Sequence, residues 1–161
     1  MIEHQPQQTD IRIAPGGSAD LDQVIALMES AFDRRFGEAW TRSQCAGILP
    51  MPGVALMLAR DGDATPIGFS LTRMVADEAE LLLLAVAPAG RRRGTGALLL
   101  NHFLEQAREY GASRVHLEVR EGNRAVKLYR SAGFSAAGRR RKYYRGSDGS
   151  EFDALTLSRA L

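Results

Sequence analysis

An apolar run in the middle of the chain leads into a loop of arginine and glycine, and then into a segment with helical periodicity. The apolar run is Leu83–Ala87, and the loop is Arg91-Arg92-Arg93-Gly94-Thr95-Gly96. A helix that begins at such a loop directs unpaired backbone N–H groups and its positive end to one point. Gly94 and Gly96 have no Cβ, so an anion can approach the backbone closely. The segment therefore predicts a phosphate-binding loop, with arginine charge at its rim.

Two common phosphate loops do not fit this segment. The dinucleotide fingerprint requires a third glycine where Leu99 stands, and the P-loop requires Gly-Lys followed by Ser or Thr. For the glycines alone, an ordinary strand-to-helix turn remains the alternative. The charge distribution favours an anionic ligand, because residues 90–145 carry 12 Arg and 2 Lys against 4 Glu, a net charge of +10, and the remaining residues carry −8. A phosphate-bearing cofactor, nucleic acid and an acidic protein surface all remain open at this point.

Apolar periodicity and turn residues predict the elements that hold this loop. The predicted strands are 11–14, 54–60, 67–75, 80–86, 115–119, 134–138 and 152–157. The predicted helices are 21–32, with Asp20 as its N-cap, 41–49, 96–110 and 125–132. The order βααβββαβαββ indicates a mixed α/β (α+β) domain, with a central sheet and helices on both faces.

The composition is that of one globular domain spanning residues 1–161, with residues 1–9 expected to be flexible. The longest apolar stretch, Leu81–Pro88, is far shorter than the roughly 20 residues of a membrane span, and the start of the chain lacks the features of a secretory signal. Cys45 is the only cysteine, which excludes an internal disulfide and makes a cytoplasmic protein the expectation. His102 and His116 lack metal-ligand spacing, so we predict no metal.

The sequence resembles a known family. Arg91-x-x-Gly94-x-Gly96-Ala97 after a strand is similar to the acyl-CoA pyrophosphate loop of the GNAT N-acetyltransferases. Over about residues 31–157 further motifs resemble the RimI-type ribosomal-protein N-terminal alanine acetyltransferases. These motifs are Trp40-Thr41, Ala79-Glu80, Leu117-Glu118-Val119-Arg120, Ala125-x-x-Leu128-Tyr129-x-x-x-Gly133-Phe134, Arg141-Lys142-Tyr143-Tyr144 and Asp153-Ala154. The resemblance implies a GNAT-like fold with a mostly antiparallel sheet that splays between its fourth and fifth strands, and acetyl-CoA in the gap.

The resemblance also implies roles for individual residues. Glu118 matches the catalytic glutamate, acting as a base directly or through water, and Tyr129 matches the tyrosine that protonates the CoA sulfur. A backbone N–H near Val86 would hold the oxyanion. The implied cofactor-binding residues are Leu84, Ala85, Val86, Arg91, Arg92, Arg93, Gly94, Thr95, Gly96, Ala97 and Asn123. The implied acceptor-binding residues are Trp40, Glu80, Tyr143 and Tyr144.

Simpler interpretations exist for three of these residues. Taken alone, Glu118 fits a salt-bridged strand carboxylate and Tyr129 fits an aromatic on a buried helix stripe. Asn123 lies one residue closer to Ala125 than in the family pattern, so the loop between Arg120 and Ala125 is one residue shorter. Asn123 also fits a helix cap.

Three functions follow as hypotheses. The first is direct transfer of acetyl from acetyl-CoA to the N-terminal alanine of a small-subunit ribosomal protein, whose α-amino pKa of roughly 8 makes it a better nucleophile at neutral pH than lysine. The second is acetylation of a small amine such as a polyamine or aminoglycoside. The third is a non-catalytic CoA-sensing or RNA-binding module, because the basic run Arg139–Arg145 contains aromatic residues, although an edge strand explains that run equally well. We expect a monomer or weak homodimer without membrane contact, and we do not predict RNA contact.

Overall fold

The computed structural model describes residues 10–62 and 65–161, so the expected flexibility of residues 1–9 concerns residues outside the described part of the chain. The strands are β1 Ile11–Gly16, β2 Val54–Asp61, β3 Gly68–Val75, β4 Glu78–Val86, β5 Arg114–Arg120, β6 Ser135–Arg145 and β7 Glu151–Ala160. The helices are α1 Leu21–Ala31, α2 Arg42–Ile48, α3 Thr95–Tyr110 and α4 Ala125–Ser131. The predicted order of strands and helices is therefore confirmed.

All seven strands form one sheet in the order β1-β2-β3-β4-β5-β7-β6. Every neighbouring pair is antiparallel except β4 and β5, which run parallel. A parallel pair needs a crossover connection, and α3 provides it. The predicted mixed, mostly antiparallel sheet is confirmed.

Helices cover both faces of the sheet. On one face α3 and α4 pack against β5, with Phe103, Val115 and Leu117 at the centre of the cluster. On the other face α1 and α2 pack against β2, β3 and β4 through residues such as Met28 and Phe69. Each large apolar side chain buried in this way contributes about 1.5–3 kcal/mol. These two layers hold the central strands rigidly, which is what a site built on those strands requires. Within residues 10–62 and 65–161, no helix has the length and apolar character needed to cross a membrane.

A side-chain cap explains where α2 begins, whereas the cap predicted for α1 is not formed. The Thr41 hydroxyl accepts a hydrogen bond from the Gln44 N–H (3.2 Å), and the Gln44 side chain accepts one from the Thr41 N–H (2.8 Å), which is a complete capping box. Asp20 lies at the N-cap of α1, but its carboxylate accepts from the Gly17 N–H (2.9 Å) instead of from an α1 amide. It therefore caps the short 3₁₀ turn that precedes α1.

The edge strand β6 is longer than the sequence predicts. Its pairing with β7 continues past Gly138 to Arg145, so the whole basic run lies in this strand. The register shifts between Arg140 and Tyr144, and Lys142 adopts a left-handed conformation (φ 53°) at this irregularity. A bulge of this kind twists an edge strand and re-aims its side chains. The interpretation of the basic run as an edge strand is confirmed.

Candidate active site

The sheet opens between β4 and β5. The parallel pairing covers only Glu78–Leu81 against Arg114–Leu117, although β4 continues to Val86 and β5 to Arg120. Beyond Leu81 the two strands diverge, so backbone groups on the β5 side of β4 no longer have a partner in that strand. The predicted splay between the fourth and fifth strands is present, and it leaves polar backbone at the edge of a gap.

A β-bulge in β4 lies where the divergence begins. Leu71 of β3 pairs with Leu83 and Thr72 pairs with Leu81, so Leu82 is an extra residue. Residues before the bulge, such as Leu81, pack on the α3 face, whereas Leu83 packs on the α1 face. Bulges are frequent beside active sites, because they redirect a strand without breaking it.

A cleft of about 590 Å³ occupies the outer part of the gap, a volume typical of small-molecule sites. It is lined by the end of β4, the loop before α3, the corner between β5 and α4, and the segment between α1 and α2, which we call the roof segment (residues 32–38). The predicted cofactor-binding residues that line this large cleft are Leu84, Ala85, Val86, Arg91, Gly96 and Asn123.

The loop at the mouth of the large cleft has the geometry of an anion site. Gly94 is left-handed (φ 76°) at the N-cap of α3, and the first intrahelical bond runs from the Leu98 N–H to the Gly94 carbonyl. The N–H groups of Thr95, Gly96 and Ala97 therefore have no helical acceptor. The buried Thr95 hydroxyl donates to the Gly90 carbonyl (2.8 Å), which fixes the loop. A Cβ on Gly96 would lie 3.3 Å from Leu128, so glycine preserves the space between the start of α3 and the Leu128 side chain.

The three arginines of the loop are not equivalent. Arg91 lines the large cleft and donates to the Ala31 carbonyl (3.1 Å). Arg92 is exposed and left-handed (φ 60°). Arg93 forms an ion pair with Asp61 (2.7 Å) at the end of β2. Arg91 is thus the loop arginine that reaches the cleft.

A smaller chamber of about 50 Å³ continues inward between β4 and β5, and Glu118 lines it. Glu118 follows the last residue of β5 that pairs with β4. Its carboxylate accepts from the Arg140 Nε (2.9 Å) and from the Thr156 hydroxyl (2.7 Å), and the side chain is 13% exposed. The salt-bridged interpretation of Glu118 therefore holds as a description of its contacts, and the same contacts fix a carboxylate at the small chamber.

Two phenols line the same small chamber. Tyr129 of α4 is buried, with its ring edge-on to Phe134 at 6.0 Å, so the buried-stripe interpretation also describes its packing. The Tyr144 hydroxyl of β6 donates to the Glu118 carbonyl (3.4 Å). Burial raises the pKa of both Tyr129 and Tyr144 above the usual range, and the negative charge of Glu38 raises each further. Both phenols are held in the protonated form, in which they can donate a hydrogen bond or a proton.

Sequence reasoning missed Glu38, which lines both the large cleft and the small chamber. Its carboxylate accepts hydrogen bonds from the Arg120 Nε and from the Asn123 side-chain amide (3.0 Å for the second). Asn123 also accepts from the Ala125 N–H (2.8 Å), which confirms its helix-capping interpretation. Glu38 lies more than eighty residues before its partners, and no local spacing connects them.

The other predicted acceptor-binding residues lie at different distances from the gap. Trp40 packs at the margin of the α1 cluster. Tyr143 is exposed, and its ring is edge-on to Tyr144 at 4.9 Å. Glu80 is on the same face of the sheet as Glu118 but forms an ion pair with Arg73 (3.1 Å), in a separate hollow that it shares with His116. Only Tyr144 of the four lines the small chamber.

The basic run is partly neutralised by its surroundings. Arg139 pairs with Glu121 and Asp153, Arg140 with Glu118, and Lys142 with Glu151 (3.7 Å). Among the residues that the structure describes, no group of three His, Cys, Asp or Glu side chains could hold a metal ion.

Comparison with known proteins agrees with the geometry of the gap. Residues 21–134 match the family described as the acetyltransferase (GNAT) family. The chain belongs to the GNAT acetyltransferase family. The matched region of this GNAT chain runs from α1 to the residue before β6, and it includes the anion-binding loop, Glu118 and Tyr129.

Several relatives of this GNAT chain are named as acetyltransferases. It is 42% identical over 91 residues to the [ribosomal protein bS18]-alanine N-acetyltransferase of Escherichia coli K12, a match that covers 56% of this chain and 61% of that relative. It is 42% identical over 106 residues to the N-alpha-acetyltransferase RimI of Mycobacterium tuberculosis, which covers 63% of each chain. The match thus spans less than two thirds of the length of these relatives.

One solved structure is similar over nearly the whole GNAT chain. The crystal structure of the ribosomal-protein-S18-alanine N-acetyltransferase from Escherichia coli superposes with a TM-score of 0.81 and 29% identity, over 93% of each chain. The similarity in fold therefore extends beyond residues 21–134 of the family match.

Proposed function

We propose that this protein transfers the acetyl group of acetyl-CoA to the N-terminal α-amino group of a protein, and that the acceptor is the alanine N-terminus of a small-subunit ribosomal protein. The observation that carries the proposal is the gap between β4 and β5. It has an anion-binding loop at its outer end, and a carboxylate and two protonated phenols at its inner end. The names of the relatives from Escherichia coli and Mycobacterium tuberculosis support the choice of acceptor.

The residues of the large cleft fit acetyl-CoA. The free N–H groups at the start of α3 suit a pyrophosphate, because they combine three donors with the positive end of a 16-residue helix. Arg91 would add a charged donor, and Gly96 leaves the space beside Leu128 that a side chain would narrow. Leu84, Ala85 and Val86 would line the path from the pyrophosphate to the small chamber. Bound there, acetyl-CoA supplies an acetyl group activated as a thioester.

Glu118 would act as the base for the acceptor. An α-ammonium group with a pKa of roughly 8 is mostly protonated at neutral pH and must lose a proton before it can react. The Glu118 carboxylate is fixed by Arg140 and Thr156, and it would accept that proton directly or through a water molecule. Arg140 would also stabilise the carboxylate while the acceptor is absent.

Tyr129 would act as the acid for the departing sulfur. A phenol has an ordinary pKa of roughly 10, so Tyr129 is protonated at neutral pH and would have a proton to give to the thiolate. A backbone N–H near Val86, released from pairing by the splay, would donate to the carbonyl oxygen as that oxygen gains negative charge. The negative charges that develop on the carbonyl oxygen and on the sulfur would therefore each face a hydrogen-bond donor, and the proton of the amine would face the Glu118 carboxylate.

The small chamber favours a small first residue in the acceptor. Its volume of about 50 Å³ would suit a small side chain beside the reacting amine better than a large one. Tyr144 lines this chamber, and Trp40, Tyr143 and Glu80 would contact the acceptor further along. An alanine N-terminus meets this limit, whereas a large side chain would require the chamber to open.

The experiment compares acceptors at equal concentration. Purified protein receives acetyl-CoA and one of three acceptors: a peptide that copies the alanine start of the host's small-subunit ribosomal protein, the same peptide with a blocked N-terminus, or a polyamine or aminoglycoside. Release of CoA is followed, and mass spectrometry locates the acetyl group. We expect turnover with the free peptide alone and acetyl on its α-amine. Preference for a small amine would overturn the acceptor, and acetyl-CoA binding without turnover on any acceptor would overturn the enzymatic role.

A further inference from the structure

We infer that Glu38 is a positioning residue of the acetyl-transfer site: through Arg120 and Asn123 its carboxylate locks the roof segment onto the corner between β5 and α4 and so sets the placement of Tyr129. The inference rests on the proposed function for the reaction that is positioned. Glu38 itself touches neither the acetyl group nor the amine in this assignment.

The roof segment is held firmly on its outer side. Phe36 packs edge-on against Phe152 of β7 at 5.3 Å, and the Ser147 N–H donates to the Arg34 carbonyl (3.1 Å). Gly37 is left-handed (φ 68°), and a Cβ there would lie 1.9 Å from the Arg145 carbonyl oxygen. Only glycine permits this approach, so the backbone that carries Glu38 is fixed relative to β6 and β7.

Glu38 fixes the inner side of the same segment. Its two carboxylate oxygens are divided between Arg120, the last residue of β5, and Asn123, which caps the start of α4. The Arg120 guanidinium also lies over the Phe36 ring, 3.7 Å from its centre. The side chains of Glu38 and Arg120 are only 10% and 12% exposed, so the pair is screened little by solvent. One carboxylate therefore joins the roof, the end of β5 and the start of α4.

This arrangement connects directly to the two residues with proposed chemical roles. Glu118 lies two residues before Arg120 on β5, and Tyr129 lies one helical turn after Ala125 on α4. The charge of Glu38 also acts on the phenols of Tyr129 and Tyr144. A small displacement of a reacting group costs up to roughly a hundredfold in rate. The hydrogen bonds of Glu38 to Arg120 and Asn123 therefore control kcat.

The test compares wild type, Glu38→Gln, Asn123→Ala and the double variant by CoA release with the alanine peptide. We expect Glu38→Gln to lower kcat roughly tenfold or more while KM for acetyl-CoA changes less than about threefold. The kcat of the double variant should lie within about twofold of that of Glu38→Gln, because both changes remove the same hydrogen bond between Glu38 and Asn123. Unchanged kcat in Glu38→Gln, or losses that multiply in the double variant, would overturn the inference.

A control and a second readout separate this inference from the choice of acceptor. Asp22→Asn removes an exposed ion pair with Arg42 (2.8 Å) and should leave kcat unchanged. Hydrogen exchange measured by mass spectrometry requires no acceptor, and Glu38→Gln should speed exchange in both 32–41 and 120–131. If wild type fails to acetylate the peptide, the acceptor is wrong, and the exchange result still decides the role of Glu38: faster exchange confined to 32–41 would contradict it.

Discussion

Glu118 of β5 and Thr156 of β7 are direct partners in the antiparallel register, and the Thr156 hydroxyl donates to the Glu118 carboxylate at 2.7 Å. The second oxygen of that carboxylate accepts from Arg140 of β6. A side chain held by two neighbouring strands has little freedom to turn. The sheet thus orients the group that we assign as the base.

Replacing Thr156 should weaken catalysis without unfolding the protein. Thr156→Val keeps the shape and removes the hydroxyl donor, a hydrogen bond to a charged group worth about 1.5–3 kcal/mol. We expect kcat for the alanine peptide to fall roughly tenfold, because Glu118 loses one of the contacts that orient it. Steady-state CoA release measures this. Ser158→Ala, two residues further along β7 where Ser158 contacts Arg114, is the control and should keep the wild-type rate.

Tyr129→Phe should separate chemistry from packing. The ring would stay edge-on to Phe134, while the phenolic proton would be lost. Because removal of a general acid costs roughly a hundredfold or more, kcat should fall by that amount with little change in melting temperature. Tyr110→Phe, at an exposed position on α3, serves as the comparison. A Tyr129→Phe protein with full kcat would assign the proton to another group.

Stability at alkaline pH should report the buried phenols. Because the pKa of Tyr129 and Tyr144 is raised in the folded state, the folded protein keeps these protons above pH 10, where the unfolded chain releases them. The free energy of unfolding should therefore fall as pH rises from about 10, by up to about 1.4 kcal/mol per pH unit for each phenol, and be insensitive to them below that pH. Urea unfolding between pH 9 and 11 measures it. Tyr129→Phe should give a shallower decline, and an equally steep decline would contradict the assignment.

The loop arginines should differ in their effect on acetyl-CoA. Arg91 lines the large cleft, whereas Arg93 is occupied by Asp61. We expect Arg91→Ala to raise KM for acetyl-CoA roughly tenfold, since a charge-assisted contact to phosphate is lost, and Arg93→Ala to raise it less than about threefold. Calorimetric titration of acetyl-CoA provides an independent measure. Equal effects of the two variants would show that general charge, rather than a specific contact, holds the cofactor.

The sequence contains the local signals for most of the fold. Strand β5 and helix α3 have clear periodicity. The predicted range of β5 was one residue short at each end, and that of α3 was one residue short at its start and correct at its end, Tyr110. The motif from Arg91 to Ala97 predicted the anion-binding loop, because the glycines and arginines that build it are adjacent in the chain. Functional residues that lie together in one segment can be recognised from the sequence of that segment alone.

Long-range features were not predictable in the same way. The strand β6 was predicted to end at Gly138, yet its pairing with β7 carries it through a bulge to Arg145. The bulge at Leu82 depends on the register with β3. Glu38 acquires its importance only when the roof segment folds onto the corner between β5 and α4, and no spacing in the sequence signals that contact.

The most direct measurement is the pH dependence of acetyl transfer to the alanine peptide by wild type and Glu118→Gln. If Glu118 removes the proton from the α-ammonium group, the variant should be roughly a hundredfold slower at pH 7. It should recover much of that loss as pH passes the amine pKa of roughly 8, where the acceptor is already neutral. Wild-type rates for the variant at pH 7, or a loss that stays constant from pH 6 to 10, would contradict the assignment of Glu118 as the base.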